Sequence, residues 1–194
     1  MRTTTTQANG TNGAMRKFMA AAIMVGTLAA AAQLYAQQPE VKPGPEHQML
    51  KEEEGVWDAA IKTPTGESKG PSSYKMALNG LWLLELFEGT IEGMPFEGRG
   101  ATSYDPAKKK FVNVWIDSMS TSPLISEGTY NQGTKTMTLV GDMPMPDGKS
   151  MKVSMITVMK DANTKSMKLM AAGPDGKEAE MLQINLKRRV EGKK

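Results

Sequence analysis

The sequence predicts an all-β fold of about ten antiparallel strands running up and down and closing into a barrel, with one short helix ahead of it. Three observations predict this. After Gly55, apolar residues alternate with polar ones at a period of two, the spacing of half-buried strands. Glycine, proline, asparagine and aspartate gather between these runs at turn-forming positions. No stretch after Gly55 carries helical periodicity of any length. A meander of this kind leaves two bare edges unless it closes on itself, so a barrel is the economical solution, with an open sheet or sandwich as the alternative.

The elements follow in order. Residues 1–14, MRTTTTQANGTNGA, are polar, non-periodic and charged only at Arg2, as disordered or mis-started sequence is, and Met15 is an alternative start. From Met15, a basic pair, an uncharged alanine-rich run and small residues compose a secretory signal peptide, with cleavage expected after Ala36. The competing reading, an uncleaved anchor over Phe18 to Ala36, is weakened by Gly26, Thr27 and Gln33. Residues 1–36 are therefore read as extension and signal. Residues 37–45, QQPEVKPGP, hold three prolines and form a linker. EHQMLKEEE then gives one or two helical turns with His47, Leu50 and Glu54 on one side, stopped by Gly55.

In the first strand Trp57, Ala59 and Ile61 alternate, and PTGESKGP turns the chain. Tyr74, Met76 and Leu78 lead into Asn79-Gly80, whose tolerance of positive φ suits a type I′ hairpin, and LWLLELFEG runs away from it. Glycines 93, 98 and 100 in GMPFEGRGATSY suggest the bend or bulge that a closing sheet needs. Asp105-Pro106 turns into KFVNVWIDSM, and LISEGTY and TKTMTLVG flank a turn at residues 131–133. Asp147-Gly148 precedes KSMKVSMITVMK, residues 161–164 turn into KSMKLMA, and residues 173–176 lead to EAEMLQINLKRRV. The barrel domain is expected to span 46–190, leaving 191–194 as a basic tail.

Composition narrows the function classes. The chain carries 24 basic and 21 acidic residues, and trimming 1–36 removes Arg2, Arg16 and Lys17 and no acid, so the exported part is formally neutral. Its basic pI comes from the signal, which removes the electrostatic support for nucleic-acid binding. With no cysteine, disulfides, thiolate metal sites, cysteine nucleophiles and a lipid-modified cysteine are all excluded. Stability must come from a packed core, and a domain of this size can bury about two-thirds of its unfolded surface.

The segments HQMLKEEEGVW, NGLWLLELFEGTIEGMPFEGRGATSYDPAKKKFVNVWIDSMSTSPLISEGTY and GPDGKEAEMLQINLKRR resemble the exported bacterial family DUF1579, a domain of unknown function, over nearly all of residues 46–190. The resemblance implies a calycin-type, lipocalin-like barrel, related to nitrobindin-like proteins, in the periplasm or outside the cell, with no assigned activity. It also implies structural roles for Gly55 and Trp57 at the first strand and for Arg188 or Arg189 at the last, the arginine stacking on the tryptophan to close the barrel bottom. Nitrobindin-like relatives hold haem through a late-strand histidine. This chain has none after His47, so haem is not carried over and no cofactor is expected.

His47 is the sole imidazole and has no companion donors for a metal site, so it reads as packing or capping the helix that plugs the barrel. No Gly-x-Ser-x-Gly elbow occurs, and no catalytic residue is assigned. Glu85 shares a strand face with Leu81, Leu83 and Phe87. If that face is interior, it needs a partner, and Arg99 is the candidate, with Tyr104 and Asp117 completing a polar cluster. Ordinary surface pairing is the alternative for these groups. Trp82, Phe96, Trp115, Met119, Met155 and Met159 are the expected apolar walls. The 17 methionines raise copper(I) as a possibility, but residues four apart on a strand stand about 13 Å from each other, so core filling is preferred and no metal is assigned. The resulting expectation is a non-catalytic barrel for a small apolar or amphipathic ligand, with no nucleic-acid partner, no retained membrane span and an unspecified oligomeric state. The alternatives are a self-filled interaction module and an enzyme using Glu85 and Asp117 as acid and base.

Overall fold

The computed structural model describes residues 41–145, 147–172 and 177–189. Residues 1–40, where the extension and signal peptide are expected, and residues 190–194 lie outside the described residues. The helix α1 (Pro45–Lys51) begins with proline at its first turn, where a missing N–H costs nothing. Gly44 and His47 cap each other there: the His47 N–H donates to Gly44 O at 3.1 Å, and the Gly44 N–H donates to His47 Nδ1 at 3.0 Å.

Ten strands follow: β1 (Gly55–Thr63), β2 (Gly66–Ala77), β3 (Trp82–Ile91), β4 (Met94–Asp105), β5 (Lys110–Asp117), β6 (Leu124–Asn131), β7 (Thr136–Pro144), β8 (Ser150–Asp161), β9 (Thr164–Ala172) and β10 (Glu178–Arg188). Each pairs antiparallel with its sequence neighbour, and β1 pairs with β10, so the sheet is a closed up-and-down barrel. Closure removes the edges that an open meander would expose. The open-sheet alternative is thereby set aside.

Two boundaries differ from expectation. The first hairpin turns within Pro64–Thr65, and β2 runs through Gly70-Pro71, because Pro71 sits just before the stretch paired to β3, which starts at Ser72. The β2–β3 turn uses left-handed residues Leu78, Asn79 and Gly80 in a four-residue connection, one longer on each side than a two-residue type I′ loop. α1 is also shorter than EHQMLKEEE suggested, and Glu54 lies past its end, where its carboxylate accepts the Met76 N–H at 2.7 Å.

Inward positions alternate along every strand. At the end capped by α1, Leu50 packs on Leu83, Phe111, Met137 and Leu139. Toward the opposite end, Leu124, Val153, Leu169 and Ala171 form a second cluster. Trp57, fully buried, centres a third with Ala59, Ile61, Phe87 and Leu186 at the β1–β10 seam.

Candidate functional site

The seam and the lumen hold the chemistry. At the seam Trp57 lies opposite Arg188 in the β1–β10 register. The guanidinium stands 4.1 Å over the indole. It also donates to Glu52 O at 2.6 Å, to Ala162 O at 2.9 Å and to Glu54 O. The indole N–H is satisfied by Glu53 O at 2.9 Å. Arg189 has the opposite parity and pairs outside the barrel with Asp58 at 2.6 Å, which holds that carboxyl below its ordinary range. Gly55 enables the arrangement: its φ is +129°, and a Cβ there would stand 2.8 Å from Arg188 Nη1.

Inside, next to the seam, Lys165 is 3% exposed and pairs with Glu53 at 2.5 Å. Its ammonium also sits 3.5 Å over Tyr74 and 4.8 Å over Trp57. Beyond it lies Glu85, on the inward phase of β3 between Leu83 and Phe87. Ser72 Oγ and Tyr74 OH both donate to Glu85 Oε1, at 2.8 and 2.6 Å. Burial pushes the Glu85 carboxyl above its ordinary range, against the opposing pull of Lys165, Tyr74 and Ser72. Burial, followed by the charges of Glu85 and Glu53, raises the Tyr74 phenol well above its ordinary range, so it remains a donor.

Glu85, at an inward strand position, is only half-buried. Inward-pointing Tyr74, Thr102, Trp115, Met155 and Ile184 likewise keep part of their surface. The neighbouring strands continue the polar arc: Asn113 donates to Thr102 Oγ1 at 2.9 Å, and Ser126, in register with Asn113, has a buried hydroxyl without a hydrogen-bond partner among the described residues. At the α1 end, a small cleft lined by Met49, Glu53, Tyr130, Met137, Thr157 and Met159 has a volume of about 10 Å³, room for about one water.

The anticipated residues divide accordingly. Glu85, Phe96, Tyr104, Trp115, Asp117, Met155 and Met159 take inward phases. Trp115 lies over Gly98 and Gly100 and donates its indole N–H to Asp117 Oδ2 at 2.9 Å, while Asp117 Oδ1 accepts the Met119 N–H. Phe96 packs on Phe87 with ring centroids 5.8 Å apart, and Tyr104 meets His47 and Phe111 edge-on near α1. Three assignments need correction. Arg99 points outward and pairs with Glu97 at 2.5 Å, because its register partner is Leu86 and the residue opposite Glu85 is Gly100. Trp82 has the outward phase, one residue before Leu83. Met119 lies past the end of β5 and is 63% exposed. His47 is buried against Tyr104 as part of the plug. Sequence reasoning missed Glu53, Ser72 and Lys165, although Lys165 shares its phase with Met167, Leu169 and Ala171, a cue that it points inward.

Among the described residues no three His, Cys, Asp or Glu side chains converge on a metal position, and no helix is long and apolar enough to cross a membrane. A family model described as "Protein of unknown function (DUF1579)" matches residues 42–188. No curated protein matches the chain. Among solved structures, the crystal structure of Rv2717c from M. tuberculosis is similar at a TM-score of 0.54 and 16% identity, over 76% of this chain and 99% of that one. A de novo designed fluorescence-activating β-barrel matches at a TM-score of 0.41 and 15% identity, over 72% of this chain and 96% of that one.

Proposed function

Since the chain belongs to the DUF1579 family of proteins of unknown function, we propose its role from the lumen: an exported, non-catalytic barrel that holds a small apolar or amphipathic ligand. One observation carries the reading. A carboxylate, Glu85, stands at an inward position of the barrel, fixed by two hydroxyl donors and still partly exposed. A few oriented polar groups on apolar walls are how small-molecule sites are lined. Trp115, Met155 and Ile184 supply the walls, and burying ligand surface against them contributes about 25 cal/mol per Å². Asp117 is tied to Trp115 and to the loop after β5, which leaves Glu85 without a free acid–base partner and supports binding over catalysis.

The test is native mass spectrometry and thermal unfolding of protein purified from its own host. A bound mass is expected, and a ligand at a hundred times its Kd should add about 2.7 kcal/mol, a Tm rise of roughly 5–10 °C. No co-purifying molecule, and no shift with lipids, quinones or haem, overturns the reading. In its place would stand a self-filled module that meets partner proteins through its loops. The fully buried Trp57 and the smallness of the cleft beside α1 favour that alternative.

A further inference from the structure

Resting on the lumen-binding reading, we propose a head-group selectivity: the lumen accepts a hydrogen-bond donor, a primary amine or hydroxyl on an apolar body, at Glu85 Oε2, and rejects carboxylate-headed amphiphiles. The first argument is the inventory of charge. Inward-facing strand positions among the described residues carry two cations, Lys165 and Arg188, and both are engaged. Lys165 holds Glu53 at 2.5 Å between two aromatic faces, and Arg188 serves three backbone carbonyls and the Trp57 ring. An entering carboxylate would meet Glu85 and find no free counter-charge, which is costly in a low-dielectric interior.

The second argument is the direction of the free lone pairs. Ser72 and Tyr74 both donate to Oε1, and among the described residues no donor meets Oε2. That oxygen points toward Gly100, where even a Cβ would stand 3.3 Å away. Glycine at this inward position leaves room for Oε2 beside the Trp115 ring, which stands equally close to the same point, 3.3 Å away. A ligand N–H or O–H reaching Oε2 would complete the carboxylate's hydrogen bonding and form a charge-assisted contact, roughly twice as strong as a neutral one. The unpartnered Ser126 hydroxyl, on the polar arc with Asn113 and Thr102, offers a second contact to a head group carrying an acceptor as well.

The experiment titrates the full chain at neutral pH with decylamine, decanol and decanoate, read by tryptophan fluorescence and calorimetry. The amine and the alcohol should bind at least about ten-fold tighter than the acid, the contribution of one charge-assisted contact. In E85Q the amine should lose at least that factor and the alcohol less, since the amide oxygen still accepts its O–H while the charge assistance is gone. G100A, which leaves Glu85 in place but crowds Oε2, should weaken both, with an unchanged unfolding transition showing that the barrel persists. Decanoate binding as well as the amine would overturn the selectivity and leave lumen binding standing. Amine binding unaltered in both variants would also overturn it. Failure of all three compounds to bind would remove the selectivity together with the binding reading it rests on.

Discussion

A carboxylate taken out of water must be compensated by its neighbours, and Glu85 is held by two hydroxyls and by the charge of Lys165 beyond them. Burial still dominates, so folding raises its pKa. A raised acid binds its proton more tightly in the folded state, so its favourable contribution is complete below the unfolded pKa and is lost as pH climbs through the raised value. E85Q removes that titration and keeps an acceptor for Ser72 and Tyr74. Its Tm is therefore expected to match the parent near pH 4 and to exceed it by a margin that grows as pH rises from there. Thermal unfolding across that range checks this, and a parent more stable than E85Q at neutral pH would contradict it. The Lys165–Glu53 pair is a different case, because the two side chains are 2% and 12% exposed and in contact. K165M leaves Glu53 uncompensated and should cost about 3–5 kcal/mol in urea unfolding. The double variant K165M/E53Q should recover most of that, and strictly additive losses would show that the pair is not coupled.

At the scale of elements, the barrel is fastened where β10 returns to β1. Arg188 joins three pieces of chain there: the segment after α1 through Glu52 and Glu54, the β8–β9 turn through Ala162, and β1 through the Trp57 ring. A cation–π contact is worth about 0.5–2 kcal/mol and charged hydrogen bonds about 1.5–3 each before overlap, so R188A is expected to destabilise by about 3 kcal/mol or more. R188K should recover little, since an ammonium lacks the planar fork that spans the carbonyls. β4 and β5 are fitted to each other more tightly still. A Cβ on Gly98 would stand 2.2 Å from the Trp115 ring, so G98A must displace that indole, at about 1–3 kcal/mol and with a shift in tryptophan emission. Unchanged emission would mean that the strand moved instead. Sequence periodicity marks these strands well, because turn residues and alternation are local properties. It does not choose the inward phase of LWLLELFEG, where both phases are apolar, and so Trp82 is expected inside while it faces out. The same limit leaves Arg188 and Arg189 as equal candidates until the register with Trp57 separates them.

For the whole molecule, the closing contact is also the most distant in sequence. The ten strands, their order and the barrel were legible because hairpins between neighbours are written in local turns and alternation. The polar interior was not, because Glu85, Ser72, Tyr74 and Lys165 meet only through strand register and closure, and Arg99 looked an equally good partner for Glu85 on charge alone. This division between local hairpins and distant seam bears on folding. Arg188 and Glu52 are 136 residues apart. Closing a loop of that length costs about 4 kcal/mol of chain entropy, against about 1 for a four-residue hairpin turn. Sequential hairpins from β2 to β9 can assemble without meeting that cost, so the seam should form after the main barrier. Variants at the seam are then expected to speed unfolding and leave folding nearly unchanged, with a φ-value for R188A below about 0.3. Variants inside the meander should slow folding, and G98A is the natural comparison. Chevron plots of the two in urea decide the matter: a slowed folding arm in R188A would mean that the ring closes early and that the meander is organised around its seam.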